Sequence, residues 1–486
     1  MLASWAADEM KNADLRDKRL NQRLTLLLSA LGQRPTASIP AACGGHTETA
    51  AAYRFFDNEK ATFEKILESH YEQTRHRIAA QPVALIVQDT TELDLTRPEA
   101  QVAGAGPMDM PCRRGALLHV VEAFSEDGTP LGAVWADAWT RVDEPDMTQT
   151  QKRQRRRAAK IEEKESHRWV EGLRQARGVA AASPATTCIC IADSEADIYE
   201  LFTEPRGGER GRPVEWLIRA CQDRGIDGVG ESPELTRLRP AVEAAPELFS
   251  HEISVRGRTP KTSCEDRARR QPRHDRKAIV TTRAAAVTLR PPQRPGQQRL
   301  PPVTVNVVLV REQAPPAGEQ PVEWLLVTTL PIGDAEAVRR IVAFYTVRWM
   351  IEVLFRTLKS GCRIEDRRFE QLDRLLSCVS VYLIIAWRTL MVCRMGRSCP
   401  DISCEAIFEP EEWKSVYMVV KRQSPPTQPP RLEEMVRLVA QLGGYLNRPN
   451  RKDPPGVQTL WLGLQRMQDM AWAWNTFGPG AREGVV

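Results

Sequence analysis

Histidine is scarce in this sequence: seven residues of 486, scattered, none in an HExxH pair. A helical zinc-protease site is therefore excluded. Cysteine supplies no framework either. The eleven cysteines are an odd set without a CxxC motif, so neither a disulfide scaffold nor a structural zinc site is expected. Cys188 and Cys190 alternate along an apparent strand and read as buried thiols in a reducing compartment. Long hydrophobic runs are missing too. The longest, 379–393, is broken by Trp387-Arg388 and is too short for a bilayer. No signal peptide is recognisable, so the chain is expected to be cytoplasmic and to use no membrane. Nor does charge of one sign dominate. Lys plus Arg number 68 and Asp plus Glu 63, leaving +5 and a pI near 8.6. That mild excess suits an anionic partner without specifying one.

What is present is the make-up of a globular protein, 42% hydrophobic and 27% charged, long enough for two or three domains. The most informative stretch runs from Asp334 to Gly361. It reads as one long helix: Asp334 can cap it, no Pro or Gly interrupts, and Gly361 can end it. Four residues in it do not suit a buried stripe: Tyr345, Arg348, Glu352 and Lys359. At about 100° per residue they fall within roughly 60° of one another, on one face. Ile341, Val342, Trp349, Val353, Phe355 and Leu358 flank that face, which suggests a cleft. A carboxylate ringed by Arg, Lys and a phenol suits a metal held beside a phosphate. An i,i+4 ion pair of Arg348 with Glu352 on a solvated face is the alternative.

In chain order, the first sixty residues read as a helical module. Asp14 can cap a helix with Leu15, Leu20, Leu24, Leu27 and Leu28 on its core side and Arg16, Arg19 and Arg23 on a basic face. A break at 32–45 leads to a second helix, 46–58, presenting Tyr53 and Arg54. Clustered arginines on short helices suggest DNA contact, with a helical cap bearing ordinary surface arginines as the alternative. After a third helix, the β-branched run from Val83 to Val87 reads as a buried strand delivering Asp89 at or near its end. Apolar strands at 116–124 and 130–139 suggest antiparallel neighbours. The basic run 149–160 reads as a solvated loop or a phosphate contact. A second apolar strand, 188–192, ends in Asp193, with a helix beginning at once. Another strand ends near Arg219. The region 223–321 is rich in Arg and Pro, with short β runs, and reads as an insertion. The strand 321–331, containing Trp324, returns to the sheet. Beyond 368 the chain is mostly helical, with an amphipathic tail suited either to packing or to a partner helix.

The Tyr345, Arg348, Glu352 and Lys359 spacing resembles the Y-(2)-R-(3)-E-(6)-K signature of DDE transposases of the insertion-sequence-4 family, Tn-five type. QDTTELD around Asp89 and IADSEADIYELF around Asp193 resemble the segments holding that family's first and second Asp. EKESHRW (163–169), EQAPPAGEQPVEWLLVT (312–328), the N-terminal ADLRDKRL and GGHTETAAAYRFFDN, and LGGY (442–445) also resemble family segments.

The resemblance implies an α/β fold: a ribonuclease H-like mixed-sheet catalytic core with a β-rich insertion, plus helical N- and C-terminal domains. The expected borders are 1–63 for DNA-end binding, 64–370 for the core (insertion about 223–320) and 371–486 for dimerisation. Asp89, Asp193 and Glu352 match the metal-binding triad, implying two Mg²⁺ ions, with Mn²⁺ as a substitute. Tyr345, Arg348 and Lys359 match contacts to the transposon end, Trp324 a tryptophan that stacks on a flipped base, and Arg219 a DNA-contacting arginine. The implied partners are double-stranded DNA, as end repeats and target, and a second copy in a homodimeric synaptic complex. The implied activity is cut-and-paste transposition through a hairpin, nucleoid-associated when DNA is bound. A nuclease of the same fold without strand transfer, and a DNA-binding regulator that has lost its chemistry, are the rivals.

Overall fold

The structure, a computed structural model, describes residues 3–97, 101–110, 112–143, 147–208, 211–227, 236–255, 257, 273–293, 299–448 and 453–478. Helices α1 (Ser4–Glu9), α2 (Lys18–Gln33), α3 (Ile39–Cys43), α4 (His46–Phe56) and α5 (Phe63–Ala79) come first. Strands β1 (Val83–Asp94), β2 (Gly106–Pro107), β3 (Arg114–Ser125) and β4 (Pro130–Trp139) follow. Then come α6 (Gln149–Ala158), α7 (His167–Ala182), β5 (Thr187–Ala192), α8 (Tyr199–Thr203), β6 (Glu215–Arg219) and α9 (Leu238–Glu243). Next are β7 (Glu247–Val255), β8 (Arg276–Leu289), β9 (Val303–Glu312) and β10 (Glu323–Thr328). The chain closes with α10 (Ala335–Val347), α11 (Trp349–Arg356), α12 (Leu372–Ser398), α13 (Pro410–Lys421), α14 (Leu432–Leu442) and α15 (Val457–Phe477). This is the expected α/β protein, a mixed-sheet core with helical N- and C-terminal regions.

Two compact units divide the chain, and they do not follow chain order. One gathers Met1–Pro145 with Trp349–Val486; the other is Asp146–Arg348.

In the first unit β3 pairs antiparallel with β1 on one side and β4 on the other. α5 and α12 pack on β4. α12 is the core helix: Val379 and every residue from Val381 to Ile384 is fully buried. It is long and apolar enough to cross a membrane by length and composition, yet most of its apolar window is buried inside the protein. Contacts with α5, α14 and α15 account for that burial. The N-terminal helices depart from expectation in three ways. Asp17, not Asp14, caps α2, accepting from the Arg19 N–H; Asp14 instead accepts from Arg16 N–H at 2.9 Å. The break at 32–45 contains the short helix α3, capped by Ser38. Arg16 precedes the helix with φ +56°, so the three-arginine helical face does not form; Arg19 and Arg23 alone share α2.

A buried charge cluster ties α1 to α5. Glu9 is 4% exposed and His70 is fully buried. Arg77 grips the Glu9 carboxylate with two guanidinium nitrogens, each at 3.0 Å. The Ala133 N–H donates to His70 Nε2 at 3.0 Å, so a neutral ring carries its proton on Nδ1 and donates it to Glu9 Oε1 at 2.5 Å. Burial alone would raise the Glu9 carboxyl; His70 and Arg77 outweigh it and hold it at about 2. Burial lowers His70 despite the neighbouring carboxylate, in keeping with the neutral tautomer.

In the second unit β5 and β6 are parallel, and β10, β9, β8 and β7 then add on in antiparallel steps. The strands β7, β8 and β9, from the region expected to be an insertion, therefore lengthen the sheet that contains β5, β6 and β10. The basic run 149–160 is not a loop. Thr148 and Gln151 form a capping box that starts α6 there. The side chains at 149, 152, 153, 156 and 157 lie outside the described residues.

At the crossing of α14 and α15 in the first unit, two glycines replace side chains. A Cβ on Gly443 would sit 1.8 Å from the Thr459 carbonyl oxygen, and one on Gly463 would sit 1.9 Å from that of Val439. Gly443→Ala should force the helices apart and cost about 1–3 kcal/mol in urea denaturation. Gly456→Ala, with open space around it but at the N-cap of α15, should cost less, about 0.5–1 kcal/mol.

The Glu9 cluster makes stability depend on acid in two stages. His70 binds a proton less readily folded than unfolded, so stability should start to fall as pH drops below 6.5, its ordinary value. Glu9 contributes stability present above 4.5 and lost as pH falls toward about 2. Glu9→Ala should leave Arg77 without its carboxylate, cost about 3–5 kcal/mol and flatten the lower stage in urea melts across pH.

Candidate nucleic-acid and metal site

The second unit assembles one cluster through strand register. β5 and β6 run parallel with Ala192 opposite Ile218. The next residues, Asp193 and Arg219, therefore stand side by side at the carboxyl ends of the two strands. β5 is buried from Cys188 to Ala192, so its end is the first place that a charged group can sit. β10 runs antiparallel along the other side of β6, with Leu326 opposite Arg219. The Arg219 guanidinium donates to the Glu323 carbonyl at 3.3 Å, beside Trp324.

α10 meets this edge at its C-terminal end, through Tyr345. Asp334 caps it as expected, accepting from the Ala337 N–H at 2.8 Å. The Tyr345 ring lies 5.8 Å from that of Trp324, tilted by 59°. Tyr345 is 6% exposed, and burial pushes its phenol up. Arg348, hydrogen-bonded to that phenol, and Arg219 pull it back, while Asp193 pushes the same way as burial. Asp193, Arg219, Trp324, Tyr345 and Arg348 thus meet within one unit, as an acid, two cations and two aromatic rings.

Around Asp193 the chain makes two tight turns in place of the expected continuous helix. Asp193 caps a single 3-10 turn, Ser194–Ala196, accepting from the Glu195 N–H at 2.8 Å. α8 starts only at Tyr199. Asp197 lies between them and is fully buried against Arg224. Sequence reading missed this acid by counting it as a polar helix residue. The signal was a second Asp four residues after a strand-end Asp, with Arg224 just beyond the next strand.

The first unit holds the other expected residues. β1 does not stop at Asp89 but runs on to Asp94, so Asp89 sits mid-strand, 8% exposed, opposite Val120. Its Oδ1 accepts from the Thr90 N–H at 2.8 Å. α11, which carries Glu352, packs on β1. The expected single helix is divided: α10 ends at Val347, Arg348 is its C-cap, and α11 starts at Trp349. Residues Thr357–Gly361, including Lys359, form a π turn closed by the Cys362 N–H on the Thr357 carbonyl at 2.8 Å. Lys359 lies 3.6 Å from Glu365, whose other role is to accept the Asp94 N–H. Of the flanking apolar residues, Ile341, Val342, Phe355 and Leu358 are buried; Trp349 is not, at 61% exposure. Arg356 is exposed and falls at about 20° on the same helical wheel as Tyr345, a cation that the four-residue pattern left out.

Among the N-terminal candidates, Arg16, Arg19 and Arg54 are exposed and Arg23 is half-buried. Tyr53 is half-buried. It packs 5.9 Å from the Phe369 ring, and burial raises its phenol.

Asp89, Asp193 and Glu352 are hard oxygen donors of the kind that divalent cations such as Mg²⁺ take, so the donor chemistry fits such an ion. Asp89 and Glu352 belong to the first unit and Asp193 to the second. Among the described residues no three His, Cys, Asp or Glu side chains form a metal-sized cluster.

Comparison with known families matches three consecutive regions. Residues 2–61 match the transposase DNA-binding family, residues 137–384 the transposase DDE domain, and residues 384–474 the transposase Tn5 dimerisation domain. The DDE match covers just over half of the chain and includes Asp193 and Glu352; Asp89 lies before it. Among solved structures, a cryo-EM structure of piggyBac transposase in a synaptic complex with hairpin DNA is similar at TM-score 0.34 and 11% identity. That match covers 87% of this chain, which spans 63% of the other chain's length.

The Tyr345 environment gives a direct expectation. Tyr345→Phe keeps the buried ring but removes the bond from Arg348, and should cost about 0.5–1.5 kcal/mol in urea denaturation. Spectrophotometric titration should lose one phenol that ionises above 10, the ordinary tyrosine value.

Proposed function

The chain belongs to the DDE transposases of Tn5 type, and on that premise we propose that it is a cut-and-paste DNA transposase. Asp89, Asp193 and Glu352 would hold two Mg²⁺ ions, with Mn²⁺ as a substitute. Bound there, the ions would supply Lewis-acid activation of water or of a 3′-hydroxyl and stabilise the leaving oxygen. The protein's own groups do the positioning. Arg348 and Lys359 place fixed positive charge against the phosphoryl oxygens of the scissile strand. Tyr345 orients Arg348 through its phenol. Trp324 offers a ring on which an unstacked base can lie, which suits release of the flanking DNA through a hairpin. Arg219 holds the adjoining backbone.

The observation that carries this reading is the convergence of Asp193, Arg219, Trp324, Tyr345 and Arg348 at one sheet edge, where a carboxylate, two guanidinium groups and two rings serve phosphate and base together. Residues 2–61 would bind the transposon ends through Arg16, Arg19, Arg23, Tyr53 and Arg54. Residues 384–474 would pair two subunits so that two ends are held before cutting. The work is done in the cytoplasm, on the nucleoid when DNA is bound.

The test is incubation of the purified chain and Mg²⁺ with DNA carrying the inverted repeats that flank its own gene. Hairpin ends and insertions into a target plasmid are expected. Free ends without joined product would make the protein a nuclease. Glu352→Ala should retain end binding in gel-shift assays yet reduce nicking to background in Mg²⁺ and in Mn²⁺. Surviving nicking would remove Glu352 from the ligand set.

A further inference from the structure

Asp197, at the end of the turn that Asp193 begins, is densely bonded. Its Oδ2 accepts the backbone N–H of Cys221 at 2.8 Å and of Gln222 at 2.9 Å. Its Oδ1 accepts Arg224 Nε at 2.9 Å and Nη2 at 2.5 Å. Its main-chain carbonyl accepts the Gln222 side-chain amide and Arg224 Nη2. The Ser194 carbonyl adds a contact from the Cys221 thiol at 3.5 Å. The Asp197 side chain is fully buried and that of Arg224 nearly so.

Every one of these bonds joins the same two segments. One is the turn 193–197, which begins with Asp193. The other is 219–224, which begins with Arg219. Strand pairing ends at Ala192 and Ile218, so beyond that point no ladder bond fixes either segment against the other. The aromatic rings of Tyr199 and Phe202 lie under the Arg224 guanidinium at 5.9 and 5.1 Å and hold it from the far side.

We propose that Asp197 is a positioning residue for DNA cleavage: its carboxylate clamps the turn bearing Asp193 to the segment bearing Arg219, and thereby sets the placement of both relative to the scissile phosphate. The proposal rests on the transposase reading for its catalytic consequence, whereas the clamp itself does not. A misplacement on the order of 1 Å of a positioned group costs about 10²-fold in rate. DNA binding, spread over many phosphate contacts, changes little when one acid that touches no DNA is altered.

The test uses the full chain, the Asp197→Asn variant and the double variant Asp197→Asn with Arg224→Met. The double variant leaves no unpaired buried guanidinium, so it guards against simple failure to fold. Hydrogen exchange should rise at the amides of Cys221, Gln222 and Glu195 in both variants, with the β5 and β6 amides unchanged. Single-turnover nicking of end DNA should fall about 10²-fold, while the Kd for that DNA stays within about threefold. Unchanged protection at 221 and 222 overturns the clamp. Raised exchange with a wild-type nicking rate overturns the positioning role. A wild-type chain that never nicks overturns the transposase reading and the catalytic consequence with it, while the exchange data still decide the clamp.

Discussion

Parallel pairing of β5 with β6 is the constraint on which the second unit's site depends. Parallel strands end on the same sheet edge, and the register Ala192 to Ile218 makes Asp193 and Arg219 neighbours. An antiparallel pair would have sent them to opposite edges. Once the acid and the guanidinium are fixed there, the rest follows from neighbours. β10 returns beside β6 and brings Trp324 up to Arg219; α10 then lays Tyr345 against Trp324. The crevice outside the carboxyl ends of strands is where open α/β sheets place their ligands, because apolar strands buried on both faces leave no other exit for polar groups.

Buried charge clusters occur in both units, and two of them are bonded to main-chain N–H groups at a junction of elements. Glu9 with His70 and Arg77 fixes α1 to α5; Asp197 with Arg224 fixes the two turns beyond β5 and β6. Burying such charges is costly unless each is paired and hydrogen-bonded, and both acids are. In each case main-chain N–H groups share the work: Ala133 donates to His70, and Cys221 and Gln222 donate to Asp197. A backbone donor cannot be repacked away by a side-chain rotamer, so the pairing selects one loop conformation and not merely a stable one. Glu122 is a contrast: it is fully buried, neither carboxylate oxygen has a hydrogen-bond partner among the described residues, and burial pushes its carboxyl well above the ordinary value.

Much of the site was legible in the sequence because it rests on local pattern. An apolar run closing on Asp193, and a helix cap at Asp334, need only a few residues to be recognised, and both hold. What was not legible depended on contacts from afar. Asp17 wins the α2 cap over Asp14 because Leu15 turns inward, 1% exposed, and pulls the chain out of helix before Lys18. Asp89 lies mid-strand because β3 continues to pair with β1 as far as Gly115 opposite Asp94, although apolar character fades after Val87. The run at 149–158 is helical because one capping box suffices to start it, against a composition that reads as loop. Asp197 looked like a helix residue because its partners lie more than twenty positions ahead.

The signature stretch shows most clearly where periodicity stops being a guide. Wheel angles assume an unbroken α-helix, and here the ladder is interrupted at Arg348 and widened to a π turn at Thr357–Gly361. The π turn ends on a packing contact within its own unit. Gly361 lies against the Trp461 indole so closely that a Cβ would approach it to 2.8 Å, and Trp461 is buried on α15. No side chain larger than hydrogen fits at 361 while that ring keeps its place. Lys359 lies inside the π turn, where α-helical wheel angles no longer apply, and pairs with Glu365 at 3.6 Å. The turn that carries one signature residue thus packs at its end on a tryptophan about a hundred positions later, in the region that matches the dimerisation family. Spacing along the chain names the participants; a helical wheel fixes their directions only where the α-helical ladder is unbroken.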